Sequence, residues 1–83
     1  MKIINDHITC EIFLKSLGFI KKSEEEARKI GSLFIMKKDG FEVEYSTNGL
    51  WENENKNQTS IIDFTDLNCR YYKKTGKILN KNL

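Results

Sequence analysis

Proline is absent from this 83-residue chain, histidine occurs once, and arginine and cysteine occur twice each. Each scarcity closes off a class of chemistry. With His7 alone, in a short N-terminal stretch read as extended at most, a histidine-based triad or metal cluster has a single candidate. Cys10 and Cys69 stand far apart and form no zinc spacing, so they are read as free thiols in a core or on a helix surface. No phosphate-cradling glycine loop and no nucleophile elbow occurs. The expectation is a protein that is not an enzyme, with no catalytic residues, no metal and no cofactor. No apolar run approaches the length of a membrane-spanning helix, and no membrane association is expected. The N-terminal stretch carries Asp6 and Glu11 and lacks a small-residue cleavage site, so no signal peptide is expected and the expected location is a bacterial cytoplasm.

What is present points to a small folded domain. Hydrophobic residues make up 39% and charged residues 31%, with nine aromatics, a balance that a disordered chain lacks. A chain this short has room for one core, so residues 1–83 are read as a single domain of marginal stability. Lysine, asparagine and isoleucine together number 30, and their codons are A/T-rich. That composition fits a gene from an AT-rich genome, phages and mobile elements among them.

The segment from Ser32 to Trp51 organises the rest. Asp39-Gly40 and Asn48-Gly49 are two-residue hairpin signals, because a type I′ turn needs positive φ at both central positions. Phe41, Val43 and Tyr45 alternate with Glu42 and Glu44, giving one apolar and one carboxylate face. The run Leu33 to Met36 is apolar on both faces, which suits a central strand. After Trp51 comes a polar loop rich in asparagine, and Ile61-Ile62 is read as a short fourth strand.

Helices are expected at both ends. In the first, Thr9 is read as the N-cap, Ile8, Ile12, Phe13 and Leu17 as the inward stripe, Glu11 and Lys15 as an outer pair, and Gly18-Phe19 as the closure. Phe19 to Lys22 reads as strand or loop. Ser23 and Glu26 form a capping box, but residues 23–31 offer only Ala27 and Ile30 to a core, so a solvated connection is favoured over a short helix. In the last helix, Asp63 or Thr65 caps, Phe64, Leu67 and Tyr71 face inward, Lys73 and Lys74 occupy the last turn, Gly76 closes, and Ile78 and Leu79 return to the core. The predicted fold is α+β: a three- to four-stranded antiparallel meander with an N-terminal and a C-terminal helix on one face.

Charge is segregated along the chain. Residues 39–66 carry seven acids against Lys56, whereas residues 70–83 carry five basic side chains and no acid. Two binding surfaces follow. Glu42, Glu44 and Glu52 with the aromatics Tyr45 and Trp51 can meet a basic protein surface, with Trp51 read equally well as an exposed anchor or as core. Arg70, Tyr72, Lys73, Lys74 and Lys77 can contact phosphates and stack on bases, as in a small nucleic-acid-binding regulator. Paired carboxylate chemistry from Glu42 and Glu44 is the weaker alternative to their being the solvent side of a strand. A third expectation is a homodimeric structural domain joined at the meander's edge, the oligomeric state being open.

The C-terminal stretch has Leu67, Tyr71, Thr75, Gly76 and Leu79 in the pattern L-x-x-x-Y-x-x-x-T-G-x-x-L, and the early helix ends in Leu17-Gly18-Phe19. In these features the chain resembles small proteins carried by phages and integrated elements, and as a small non-enzymatic α+β protein it is similar to anti-CRISPR proteins. The resemblance implies a partner protein, a CRISPR effector nuclease with its guide RNA, of the RNA-targeting type VI above all, whose guide loading or activity is blocked. It carries no residue-level roles.

Overall fold

In the computed structural model, residues 7–46, 49–53 and 59–79 are described. In chain order they form α1 (His7–Ser16), β1 (Ile20–Lys21), α2 (Glu24–Lys29), β2 (Phe34–Lys38), β3 (Phe41–Ser46), β4 (Gly49–Glu52) and α3 (Phe64–Thr75). The strands make one antiparallel sheet in the order β1-β2-β3-β4. This is the expected α+β meander with a helix before and after it.

The Asp39-Gly40 turn sets the register. Both residues have positive φ, 53° and 81°, as a type I′ turn demands, and Lys38 faces Phe41 across it. Phe34 then lies opposite Tyr45 and Met36 opposite Val43, which places these side chains on one face. The second hairpin differs from expectation. Ser46 pairs with Gly49, so Gly49 is the first residue of β4 instead of the second residue of a turn; Asn48 lies outside the described residues. The fourth strand is β1, not Ile61-Ile62. Ile61 makes a single bridge to Leu50, its amide donating to the Leu50 carbonyl at 2.7 Å. The chain then turns at once into a helix cap, the Ile62 amide donating to Asp66 at 3.2 Å and the Asp63 carboxylate accepting from the Asp66 amide at 2.8 Å. Helix initiation thus ends the strand after one residue.

Both terminal helices lie on the same face of the sheet. Cys10, Leu14 and Leu17 of the N-terminal segment and Leu67 and Tyr71 of α3 join Phe34, Met36, Phe41, Val43, Tyr45 and Leu50 in one core. Each fully buried large aliphatic contributes about 1.5–3 kcal/mol relative to exposure. The inward stripe of α1 departs from the one read from the sequence: Ile8 and Ile12 are exposed, Ile12 at 64%, and Cys10 takes the interior place. At 3.6 residues per turn Ile8 and Ile12 point roughly 120–160° away from Leu14, so they cannot share its face. Closure fixes the roll. The Gly18 amide donates to Lys15 and the Phe19 amide to Leu14, at 3.0 Å each, and this folds Phe19 back onto the core beside Leu14. Thr9 sits inside α1, which begins at His7, and so is not its cap.

Residues 23–31 are helical over α2, not a solvated connection. The Ser23 hydroxyl accepts from the Glu26 amide at 3.3 Å, and Gly31-Ser32 closes the other end with amides returning to Arg28 and Ala27. One small residue is enough to seat it: Ala27 is buried, and α2 packs on β2. Ile35, which alternates with the core residues Phe34 and Met36, is buried on this opposite face. The carboxylate face of the meander is therefore partly roofed by α2. In α3 the cap is Asp63, Leu67 and Tyr71 are buried, and Gly76 closes with φ 75°. Leu79 returns to the core, its amide donating to Asn68 at 2.9 Å, while Ile78 does not return and is 72% exposed.

Candidate functional site

The acidic set separates across the sheet. Pairing places Glu44 between Ile35 and Trp51, and Glu42 beside Lys37, so Glu42, Glu44 and Trp51 share the outer face. Tyr45 does not join them. It is 8% exposed on the core face, its ring stacked on Phe34 with centroids 5.4 Å apart, because β3 alternates strictly and Tyr45 falls in phase with Val43. Glu52 lies opposite Val43, also on the core side, and reaches Arg70 at 3.4 Å. Trp51 is half-buried, neither a free anchor nor a core residue.

Internal partners occupy the outer carboxylates. Glu42 accepts from Asn53 at 2.9 Å and from the Lys22 ammonium at 3.3 Å. The Asn53 hydrogen bond, followed by Lys22, holds its carboxyl below the usual glutamate range. Glu44 accepts from the Ser32 hydroxyl at 2.7 Å, which ties β3 to the residue that closes α2. These bonds organise the face, and a ligand would have to displace them.

The basic set divides as well. Arg70 is a structural residue with a side chain 11% exposed. Its guanidinium donates to the Asp66 carboxylate at 3.0 and 3.1 Å, to the Thr59 carbonyl at 2.9 Å and to the Ser60 carbonyl at 3.2 Å. The planar fork is used up in pinning residues 59–60 to α3, so Arg70 does not contribute to a phosphate-binding patch. Tyr72 is 56% exposed, and Lys73, Lys74 and Lys77 are exposed beyond it. Lys77 lies 3.5 Å from the Asp39 carboxylate.

On the outer side of α3 lies a shallow groove of about 440 Å³, lined by Phe64, Thr65, Asn68, Cys69, Tyr72 and Ile78. The helical repeat builds its floor, since Thr65, Cys69 and Tyr72 recur at four and three residues on the side away from Leu67 and Tyr71. Phe64 closes one end, packed edge-on against Phe13 of α1 with centroids 5.8 Å apart. Ile78 closes the other. Gly76 reverses the chain and Leu79 is drawn inward, which leaves the preceding side chain facing out. Sequence reading missed Phe64, Thr65, Asn68, Cys69 and Ile78 as surface residues of one site. The Thr65-Cys69-Tyr72 spacing was the available signal.

Among the described residues, no group of three or more His, Cys, Asp or Glu side chains is arranged to hold a metal ion, and no helix is long and apolar enough to cross a membrane. No protein-family model matches the chain, and neither a curated protein nor a solved structure matches it significantly.

Proposed function

We propose that this chain is a non-catalytic binding protein that docks on another protein through the outer face of α3, and that its target is an RNA-guided effector nuclease. The observation that carries the docking reading is the α3 groove. There Tyr72 and Ile78 leave large apolar surface in water, whereas the competing acidic face is engaged in bonds to Lys22, Asn53 and Ser32. Exposed apolar surface gathered with polar side chains such as Thr65 and Asn68 is what interaction sites present. The similarity to anti-CRISPR proteins supports the choice of target, and action there places the protein in the bacterial cytoplasm.

A purified type VI effector loaded with its guide RNA provides the test. Wild-type protein should suppress RNA cleavage, and Tyr72→Ser combined with Ile78→Ser should abolish suppression while circular dichroism and melting stay unchanged. Cleavage and guide loading that are indifferent to the wild-type protein would remove this target.

A second reading rests on Tyr72 standing exposed beside Lys73, where a base can stack while a lysine meets phosphate. It expects binding of single-stranded RNA that weakens steeply with salt and is lost in Lys73→Glu with Lys74→Glu.

A further inference from the structure

We infer that a second copy of this chain covers the α1–α3 face in solution, making a weak two-fold dimer; the inference goes beyond the docking reading and stands without its nuclease target. α1 carries apolar side chains on opposite sides. Cys10, Leu14 and Leu17 belong to the core, whereas Ile8 and Ile12 are 58% and 64% exposed on the far side. A helix that is apolar all round is ordinarily covered all round, and the sheet covers one side only. α3 repeats the arrangement. Leu67 and Tyr71 are buried, while Cys69 and Tyr72 face away beside Ile78. Phe13 meets Phe64 edge-on and holds the two helices side by side. Ile8, Ile12, Tyr72 and Ile78 therefore look out from the same side of one helix layer.

The charge pattern favours a second copy, and area sets how tightly it is held. A two-fold axis sets like against like, so a patch of net charge repels its own copy and a neutral one does not. Among the described residues, the middle of this face is uncharged. At its margins Glu11 pairs with Lys15 and Asp66 with Arg70, at 3.0 Å each. Lys73 follows Phe64 by about two and a half helical turns, so it points away from α1 and stays at the rim. α1 and α3 have 10 and 12 residues. Side by side they offer a face of roughly 20 by 18 Å. That buries less than the roughly 800 Å² per partner of a standard interface, and suits a transient pair with a dissociation constant of about 10–100 µM. The sheet edges offer a copy less. β1 has two residues, one of them Lys21, and Ile61 bridges β4 at Leu50. A strand of nucleic acid would find one exposed ring, Tyr72, because Phe64 is packed on Phe13.

Sedimentation velocity under reducing conditions tests this, from about 5 µM to about 500 µM protein. The mass should rise from 9.7 kDa toward twice that value. Ile12→Ser with Ile78→Ser changes two exposed positions on the face, and should keep the monomer's mass at about 500 µM with circular dichroism unchanged. Ile20→Ser alters an equally exposed isoleucine on the opposite face of the sheet and should leave the dimer intact. Cys69 provides a second readout, because it sits on the face whereas Cys10 is buried. Its alkylation rate should fall at least about threefold across that concentration range in the wild type and stay constant in Ile12→Ser with Ile78→Ser. A monomer at every concentration, a dimer that survives in that double variant, or a dimer lost in Ile20→Ser would overturn the inference. So would a dimer whose Cys69 reacts as fast as the monomer's, which would move the contact to a sheet edge. In a chain that never dimerises, protection of Cys69 by a uridine oligomer or by the effector nuclease would give the face to that occupant instead. Nuclease suppression is measured far below the dissociation constant, where the chain is monomeric. Suppression by a chain that never dimerises removes the dimer and leaves docking, whereas a dimer indifferent to the nuclease does the reverse.

Discussion

The Tyr71 phenol donates a hydrogen bond to the carboxylate of Asp39, joining the buried face of α3 to the first residue of the β2–β3 turn. Asp39 adopts φ 53° there, and Lys77 stands 3.5 Å from its other oxygen. One carboxylate thus shapes the turn and receives two groups from the C-terminal segment. The Tyr71 ring meets Phe41 edge-on at 5.6 Å, so the turn and the core packing behind it share a partner. Tyr71→Ala should cost about 3–5 kcal/mol by opening a cavity. Tyr71→Phe keeps the ring and should lower the melting temperature by a clearly smaller amount. Equal losses in the two variants would mean that the hydrogen bond, not the packing, dominates.

Ionisation of the same pair sets two edges of the stability profile. Burial first, then Asp39, pushes the Tyr71 phenol up to about 12 from an ordinary value of 10.0. Its contribution is complete below pH 10 and declines as pH rises toward 12, because the unfolded phenol loses its proton first. Asp39 has the opposite sign. The Tyr71 hydrogen bond, assisted by Lys77, holds it below its ordinary value of 3.8, so its contribution is present above that value and is lost as pH falls through the lower folded one. Glu11, held down first by Lys15, and Glu42 add to the acid loss. Melting temperature followed against pH should show less alkaline decline in Tyr71→Phe and less acid decline in Asp39→Asn. An unchanged alkaline slope in Tyr71→Phe would separate that decline from this phenol.

Arg70 separates a structural role from a binding one. Arg70→Lys keeps the charge and loses the fork that reaches Asp66, Thr59 and Ser60, and should destabilise the fold by about 1–3 kcal/mol in denaturant titrations. RNA affinity of the folded fraction should not change. A variant of native stability with weakened RNA binding would restore Arg70 to the binding surface.

How legible the fold was depended on how many readings each stretch allowed. Asp39-Gly40 admits one turn type, and the alternation from Phe41 to Tyr45 admits one face, so β2 and β3 were readable. Apolar residues surround α1, with Ile8 and Ile12 on one side and Cys10, Leu14 and Leu17 on the other. Hydrophobicity alone could not choose between them; the closure at Phe19 did. Stability should follow the structural side. Leu14→Ala should cost about 2–5 kcal/mol, and Ile12→Ser should stay within about 0.5 kcal/mol. The lysines at the end of α3 were visible as a charge run. The groove itself was not, because it depends on Leu79 turning inward and Ile78 outward, a one-residue choice made by the Asn68 hydrogen bond.

A last prediction concerns Gly18 and Lys38. Gly18 has φ 98°, which a side chain rarely adopts, and a Cβ there would lie 2.9 Å from the Lys38 ammonium. That ammonium is in use: it donates to the Leu17 carbonyl at 2.6 Å, satisfying an acceptor at the end of α1, and lies 5.9 Å from the Tyr71 ring centroid. Gly18→Ala therefore combines backbone strain with displacement of Lys38 from its acceptor, for a loss of about 1–3 kcal/mol. In a Lys38→Met background the clash and the cap are already gone, and the same substitution should cost only the strain. The double mutant should be less destabilised than the two single losses added together, by about 0.5 kcal/mol or more in denaturant titrations. Strict additivity would show that Lys38 yields to the new methyl without giving up Leu17.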